Sequence, residues 1–365
     1  MTHPRPLYDL LIAGAGPAGC AAAIAATRHN LSALMVEPQR APRSPGCAGW
    51  VSPAAVRMCQ ELGVDAAAAQ AVEFPGLRLW PWDLTEPAVI QNPKLAGWIV
   101  KPQALGAALA AVARTHGVKV VRCATAAVQL GEEAVAVQLV DGRTVTGRVL
   151  VIADGAGTVT ACMAHLPAAQ AEGGRGAQAV LEVPEGGGTL DVILGAGRTI
   201  RVATIARHRR QACVTLMTHD TALSATAQLA ELLKAAGAAG LLPARASADP
   251  LPVPCLAGAA LEIESHVGKR CLLIGDAGGF VSAFSNEGIY PALRSGWLAA
   301  ETAARALSAA VLQDELATFS ATWRTDLADY LHMPNTDLGL LLPMVFSNAQ
   351  MARRLAQAFL LGQSF

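Results

Sequence analysis

Three glycines and one acid near the N-terminus carry the first chemistry. In "YDLLIAGAGPAGCAAAIAA", Gly14, Gly16 and Gly19 follow the apolar run Leu10 to Ala13 in G-x-G-x-x-G spacing and precede an alanine-rich stretch. Such spacing serves phosphate recognition. Gly14 permits a tight turn, Gly16 lets the backbone approach a pyrophosphate, and Gly19 lets a helix pack closely on a strand. About twenty residues further on, "LSALMVE" ends in Glu37, a carboxylate placed to accept ribose hydroxyls. The expected ligand is an adenine dinucleotide. A second constellation lies in "GDAGGFVSAFSNEGIYPALRSG", Gly275 to Gly296, where Asp276 closes the apolar run Cys271 to Ile274. An acid there either serves a ligand or caps the turn.

These residues need elements to hold them. The first run reads as strand, turn and helix, followed by a second strand ending at Glu37. A proline- and glycine-rich loop follows, then a helix from about Pro53. "WIVKPQALGAALAAVARTHGVKVV" predicts a short strand, a helix opening at Lys101, and another strand. Period-two stretches then flank a turn at Asp141 and Gly142, and the buried strand Leu150 to Ala153 ends at Asp154 and Gly155. Antiparallel strands are expected over about 176–218, a helix over 222–236, and a long helix from Asn286. An interleaved organisation follows. Residues 1–75, 100–165 and 265–310 form an α/β, Rossmann-type lobe; 76–99 and 166–264 form an antiparallel-sheet substrate lobe; 311–365 form a C-terminal helical region.

Composition narrows the partners. The 365 residues include 28 basic and 28 acidic side chains, so no electrostatic footprint suggests nucleic acid. Hydrophobic residues make up 53% and charged ones 15%, with mean hydropathy +0.37, and a small apolar or aromatic substrate fits this balance. The eight cysteines, at 20, 47, 59, 123, 162, 213, 255 and 271, form no C-x-x-C pair and no short spacing to histidine. Neither a metal site nor a disulfide framework is expected, and the chain is placed in a reducing cytoplasm. The uncharged stretch Leu10 to Thr27 is broken by glycines and Pro17, so it reads as neither a secretory signal nor a membrane span.

The order GAGPAGC, Glu37, Lys101, "VIADGAG" and "LLIGDAGGFVSAFSNEGIYPALRSGWLAAE" resembles FAD-dependent oxidoreductases of the group A flavin monooxygenase fold. Within them it is most similar to the geranylgeranyl reductase family, over about residues 7–160 and 268–305, where the family form G-E-G-I-Y-x-A-L-x-S-G meets N-E-G-I-Y-P-A-L-R-S-G. The resemblance implies FAD as cofactor and NAD(P)H as electron donor. It also implies that Gly275 and Asp276 meet the ribitol, that Gly288 and Ile289 aim backbone N–H groups at the pyrimidine edge of the flavin, and that Asp154 lies near the pyrophosphate. Lys101 stands where the family more often has Arg. The loop "GCAGW", with Cys47 and Ala48, resembles the family's C-G-G or C-G-E stretch beside the isoalloxazine. There the Cys47 thiol either donates a proton or merely fits the space; Glu287 and Tyr290 are the other candidate catalytic groups.

Two departures bear on substrate. The family's aromatic and proline-bearing strand motif has no counterpart in "LGAGRTIRVATIARHRRQACVTLMTH", which contains no aromatic ring system of Phe, Trp or Tyr, and the paired-tryptophan signature of flavin halogenases is missing. Trp80 and Trp82 in "LWPWD" read as core or pocket lining, and "RHRR" at 207–210 as a solvated hairpin end or a phosphate contact. Met351, Leu355 and Phe359 recur at helical spacing, an apolar face for core packing, a substrate tunnel or a membrane surface. Three functions remain open: reduction of a carbon–carbon double bond, flavin-dependent hydroxylation of an aromatic or lipid-like ring, and non-catalytic flavin binding.

Overall fold

The computed structural model describes residues 8–39, 46–170, 175–196, 199–220, 222–244 and 248–363. The chain starts with the expected unit. Strand β1 (Tyr8–Ala13), helix α1 (Pro17–Arg28) and strand β2 (Ala33–Val36) bring the apolar runs into the interior, with Pro17 preset for the first helical position. After β3 (Trp50–Val51), Ser52 caps α2 (Pro53–Leu62) by accepting from Ala55 N at 3.2 Å, and Gly63 ends the helix at φ +95°. Three strands, β4 (Val72–Phe74), β5 (Gly76–Pro81) and β6 (Ala88–Gln91), lead to β7 (Gly97–Ile99), α3 (Pro102–Thr115) and β8 (Lys119–Val121). Then β9 (Thr125–Leu130), β10 (Val135–Leu139) and β11 (Thr144–Ile152) form a meander, followed by the short α4 (Val159–Met163).

The second half opens with a long hairpin, β12 (Gly176–Ala196) and β13 (Ile200–Thr218), and continues through α5 (Ala225–Ala238), β14 (Leu251–Val253) and α6 (Ala259–Glu262). It returns to the first lobe at β15 (Val267–Gly268) and β16 (Cys271–Leu273), then runs into α7 (Ile289–Ser308). Four helices close the chain: α8 (Leu312–Ala317), α9 (Phe319–Leu331), α10 (Leu338–Ser347) and α11 (Ala349–Leu361).

Pairing sorts these elements into three sheets. The first has the order β15-β16-β11-β1-β2-β8, parallel from β16 to β8, with β10 and β9 running antiparallel beside β11. The strand order reverses beside β1, so ligand space opens at the carboxyl ends of β1 and β11. The second sheet, β13-β12-β5-β6 with β14, forms the other lobe. A small third sheet, β3-β7-β4, had no counterpart in the sequence reading; β7 pairs with β3 and β4 and not with β5 and β6.

Close packing of α1 on α7 unites distant halves of the first lobe. A Cβ at Gly296 would lie 2.3 Å from Ala18 O, so only glycine allows this approach. Ile24, Leu293 and Leu298 fill the resulting core with Ile12 and Leu272 from the sheet. Among the described residues no helix is long and apolar enough to cross a membrane.

Candidate functional site

At the end of β1 the glycines have three different jobs. Gly14 takes φ +105°, and a Cβ on it would lie 2.2 Å from Ala153 O. A Cβ on Gly19 would lie 2.1 Å from Gly14 O, so this glycine permits the crossing of α1 over the turn. Gly16 differs, because a Cβ there would meet nothing within 4 Å. It starts α1 with no side chain capping the helix, and the first-turn N–H groups face a space the protein does not fill. Glu37 borders this space; its carboxylate accepts from Ala15 N at 3.0 Å and Gln39 N at 2.9 Å. Exposed Asp154 adjoins the same turn, since its Cα would lie 2.9 Å from a Gly14 Cβ. Its carboxylate accepts from Thr160 N at 3.3 Å, a local turn role compatible with a ligand contact.

A second turn faces the first from β16. Gly275 takes φ +57° and donates its N–H to Ser295 Oγ at 3.1 Å, which ties the turn to α7. Asp276 follows in the short 3-10 turn Gly275–Gly278. Its side chain is open to solvent yet ringed by protein, and poor hydration pushes its carboxyl up to about 6. A Cβ at Gly288 would sit 3.4 Å from Asp276 Oδ1, so the acid lies against the start of α7. Half-buried Ile289 begins that helix, and Gly288 supplies no side-chain cap.

Glu287, one residue earlier and outside the helix, occupies part of that helix start with its side chain. Its Oε1 accepts from Tyr290 N at 2.8 Å and its Oε2 from the Tyr330 hydroxyl at 2.8 Å. Burial pushes this carboxyl up to about 7, while the donated hydrogen bonds pull the other way. Tyr290 packs edge-on against Tyr330 with ring centroids 4.9 Å apart. Of the two, Tyr290 remains half-buried and Glu287 is enclosed.

The loop before β3 completes the constellation. Gln178, on β12, donates from Nε2 to Cys47 O at 2.6 Å and accepts at Oε1 from Gly46 N at 3.1 Å. One amide thus holds both faces of the loop. Gly49 O accepts from Val100 N at 2.8 Å, which sets exposed Lys101, at the start of α3, next to the loop. Cys47 and Ala48 are half-buried. Burial pushes the Cys47 thiol up to about 11, and the nearby Asp276 and Glu287 carboxylates add to this, so it stays a thiol at neutral pH. Cys213, on β13, lies behind it and receives a hydrogen bond from Gln178 Nε2 at 3.0 Å.

Gln178, Tyr330, Ser52 and Cys213 were not singled out by sequence reasoning. Ser52 had a local signal, a serine directly before Pro53 at a helix start. The others had none, because their partners lie far away in sequence.

The two tryptophan and arginine motifs belong elsewhere. "RHRR" is no hairpin end: it crosses the middle of β13, where Arg209 takes φ +53° and the strand bends. Arg207 turns inward, pairing with buried Asp191 and donating to Thr189 Oγ1 at 3.1 Å and to Leu241 O. Arg78 grips Asp191 through two bonds, of 2.6 and 2.8 Å, and Trp80 Nε1 donates to it at 2.8 Å. His208 Nε2 pairs with Gln70 O at 2.8 Å. Trp82 stacks under Arg201, whose guanidinium carbon lies 4.0 Å from the ring centre. In α11, Leu355 and Phe359 are buried and Phe359 stacks on Trp50 at 5.5 Å, so that apolar face is spent on packing. Exposed apolar side chains of the C-terminal region lie at Val311 (55%), just before α8, and on α10 at Leu340 (75%) and Met344 (54%).

No protein-family model matches the chain. A menaquinone reductase of Mycobacterium tuberculosis is 30% identical over 160 residues, 40% of this chain and 38% of the relative's length. The aligned part thus spans well under half of that relative. Among solved structures, a geranylgeranyl bacteriochlorophyll reductase-like protein from Thermoplasma acidophilum superposes with TM-score 0.72 at 18% identity, over 98% of this chain and 97% of that one. A flavin-dependent brominase gives TM-score 0.73 at 19% identity, covering 97% and 93%. The chain therefore has the fold of the group A FAD-dependent flavoproteins, with its α/β lobe, interleaved antiparallel sheet and C-terminal helices.

Proposed function

We propose that this chain is an FAD-dependent oxidoreductase that reduces a carbon–carbon double bond of a small apolar substrate with electrons from NAD(P)H. The observation that carries the cofactor is the unfilled space at Gly16, facing an uncapped helix start and bordered by Glu37. These residues fit a dinucleotide pyrophosphate and ribose. Asp276 and the start of α7 fit the ribitol and pyrimidine end, Lys101 and Cys47–Ala48 the outer face, and Asp154 the phosphate side. When bound, FAD supplies hydride transfer.

The chain's own part is to bind, orient and supply a proton. Cys47 holds that proton at Sγ, since its thiol stays protonated at neutral pH, and Gln178 fixes the loop that presents it. Glu287 and Tyr290 organise the helix start behind it. The names of the relatives support an apolar acceptor: one is a menaquinone reductase, another is bacteriochlorophyll reductase-like. A cytoplasmic protein that touches the membrane surface suits such a substrate. The exposed Leu340 and Met344 on α10, with exposed Arg353 and Arg354 on α11, are the surface proposed for that contact.

A second reading, oxygen-dependent modification of an aromatic or lipid-like ring, is favoured by the full-length superposition on a brominase. Anaerobic rapid mixing separates the two. Protein reduced with NAD(P)H is mixed with short-chain menaquinone or a prenyl-lipid analogue, then in parallel with oxygen. Flavin reoxidation by the lipid without oxygen, with a reduced product, supports reduction. Reoxidation only with oxygen, leaving an oxygenated product, selects the second reading.

A further inference from the structure

Glu287 is 3% exposed and stands at the head of a 20-residue helix, yet among the described residues no ion pair reaches it. Its neighbours are hydrogen-bond donors of neutral character. Tyr290 N donates to Oε1, and the Tyr330 hydroxyl, from α9, to Oε2. Fully buried Ser52, at the head of α2, is a further polar neighbour of the Tyr330 hydroxyl, with its Oγ accepting from Ala55 N at 3.2 Å. Carboxyl and phenol thus form one hydrogen-bonded pair between the head of α7 and α9.

Such a pair accommodates one proton more or less, because its hydrogen bond can reverse direction. A hydroxyl both donates and accepts. With Glu287 ionised, Tyr330 donates to the carboxylate. With Glu287 protonated, the carboxyl O–H donates to the Tyr330 oxygen. Tyr290 N keeps its acceptor in both states. What changes is charge. An ionised Glu287 cancels part of the positive end of α7, whereas a protonated Glu287 leaves that end to act on whatever lies beyond Gly288.

We propose that Glu287, with Tyr330, is a buried proton store: Glu287 takes up one proton from solvent when negative charge enters the flavin end of the site, and releases it when that charge leaves. The inference rests on the FAD reading above. The electron pair comes from NAD(P)H and the stored proton from water, so Glu287 is a positioning residue that acts through the start of α7. Burial pushes its carboxyl up to about 7, which puts its titration in the working range. The groups facing it are Asp276 from the turn after β16, Cys47 from the loop before β3, Ser52 and Cys59 from α2, Tyr290 from α7 and Tyr330 from α9. Arg57, Arg294 and Asp326 act on Tyr290 at the outer edge. None of the described cations is paired with the carboxyl itself.

Linkage gives the test. If reduction raises the proton affinity of Glu287, the flavin midpoint potential of the holoprotein should fall more steeply with pH above about 7, where the oxidised protein has lost the proton that the reduced protein keeps. Anaerobic spectroelectrochemical titration of the wild-type holoprotein should show this break, and Glu287→Gln should lose it. Tyr330→Phe removes a donor to the carboxylate, so the break should persist and move upward by about one pH unit. Infrared spectra of protein labelled with 13C-glutamate give a readout that needs no flavin: a protonated-carboxyl band should titrate near pH 7 and be absent in Glu287→Gln. Identical potential–pH lines in wild type and Glu287→Gln, or no such band in the wild type, would overturn the proton store. Protein that binds no flavin, but shows the titrating band, instead overturns the cofactor reading and with it the redox linkage.

Discussion

The two ends of the candidate cofactor site are built on different plans. The phosphate end is backbone: Gly14, Gly16 and Gly19 lie within six residues, and what matters about each is the side chain it lacks. The ring end is made of side chains and turns from separate segments, with the Cys47 loop held by Gln178 131 positions away and Glu287 held by Tyr330 43 positions away. A backbone device tolerates almost no change in shape. A side-chain constellation tolerates substitution, but each change alters charge or proton balance.

This contrast predicts a ranking of effects. Gly19→Val should prevent folding, because its Cβ would sit 2.1 Å from a backbone oxygen; circular dichroism and soluble yield check it, and a well-folded variant would break the contrast. At the ring end, Cys47→Ser should fold and retain flavin. If the thiol is the proton donor, reoxidation by substrate slows by about 10² to 10⁴ fold while reduction by NAD(P)H is unchanged. Equal slowing of both half-reactions would show a general disturbance of the loop.

Next comes a pH effect on stability. Glu287 binds its proton more tightly in the folded chain, at about 7 against an ordinary 4.5, so its contribution is complete below about pH 4.5 and is lost as pH rises toward 7. The difference corresponds to roughly 3 kcal/mol for so enclosed a group, and Asp276 acts in the same direction. Denaturation curves across this window should flatten in Glu287→Gln; an unchanged slope would mean the carboxyl is ordinary. The smallest effect is expected at Asp276, where Asp276→Ala should weaken FAD binding about tenfold to a hundredfold, the scale of one charge-assisted hydrogen bond. An unchanged dissociation constant would reduce Asp276 to a turn residue.

The same contrast explains what could be read in advance. The β1–turn–α1 unit, Glu37 and the DG turn are local in sequence, and their constraints show in three to twenty neighbouring residues. Lys101 at the head of α3 was legible because Pro102 follows it. The long helix starts at Ile289 and not at Asn286, since Asn286 takes φ +53° and Glu287 caps from outside the helix. "RHRR" was misjudged because β13 runs for 19 residues through a bend, and a bend inside a strand resembles its end. The third sheet was missed because its strands have only two or three residues, too few for periodicity. Gln178 carried no local signal at all: its role exists only once β12 lies beside the Cys47 loop.

The cofactor site depends first on FAD lying against Gly16, and flavin content tests this most directly. Wild-type protein and Gly16→Val are purified side by side, their flavin is released and identified, and flavin-free samples of both are melted. The expected result is one FAD per wild-type chain, none in Gly16→Val, and equal melting of the flavin-free proteins, because a Cβ at this position meets nothing within 4 Å. FMN or no flavin in the wild type, or full FAD occupancy in Gly16→Val, would contradict it.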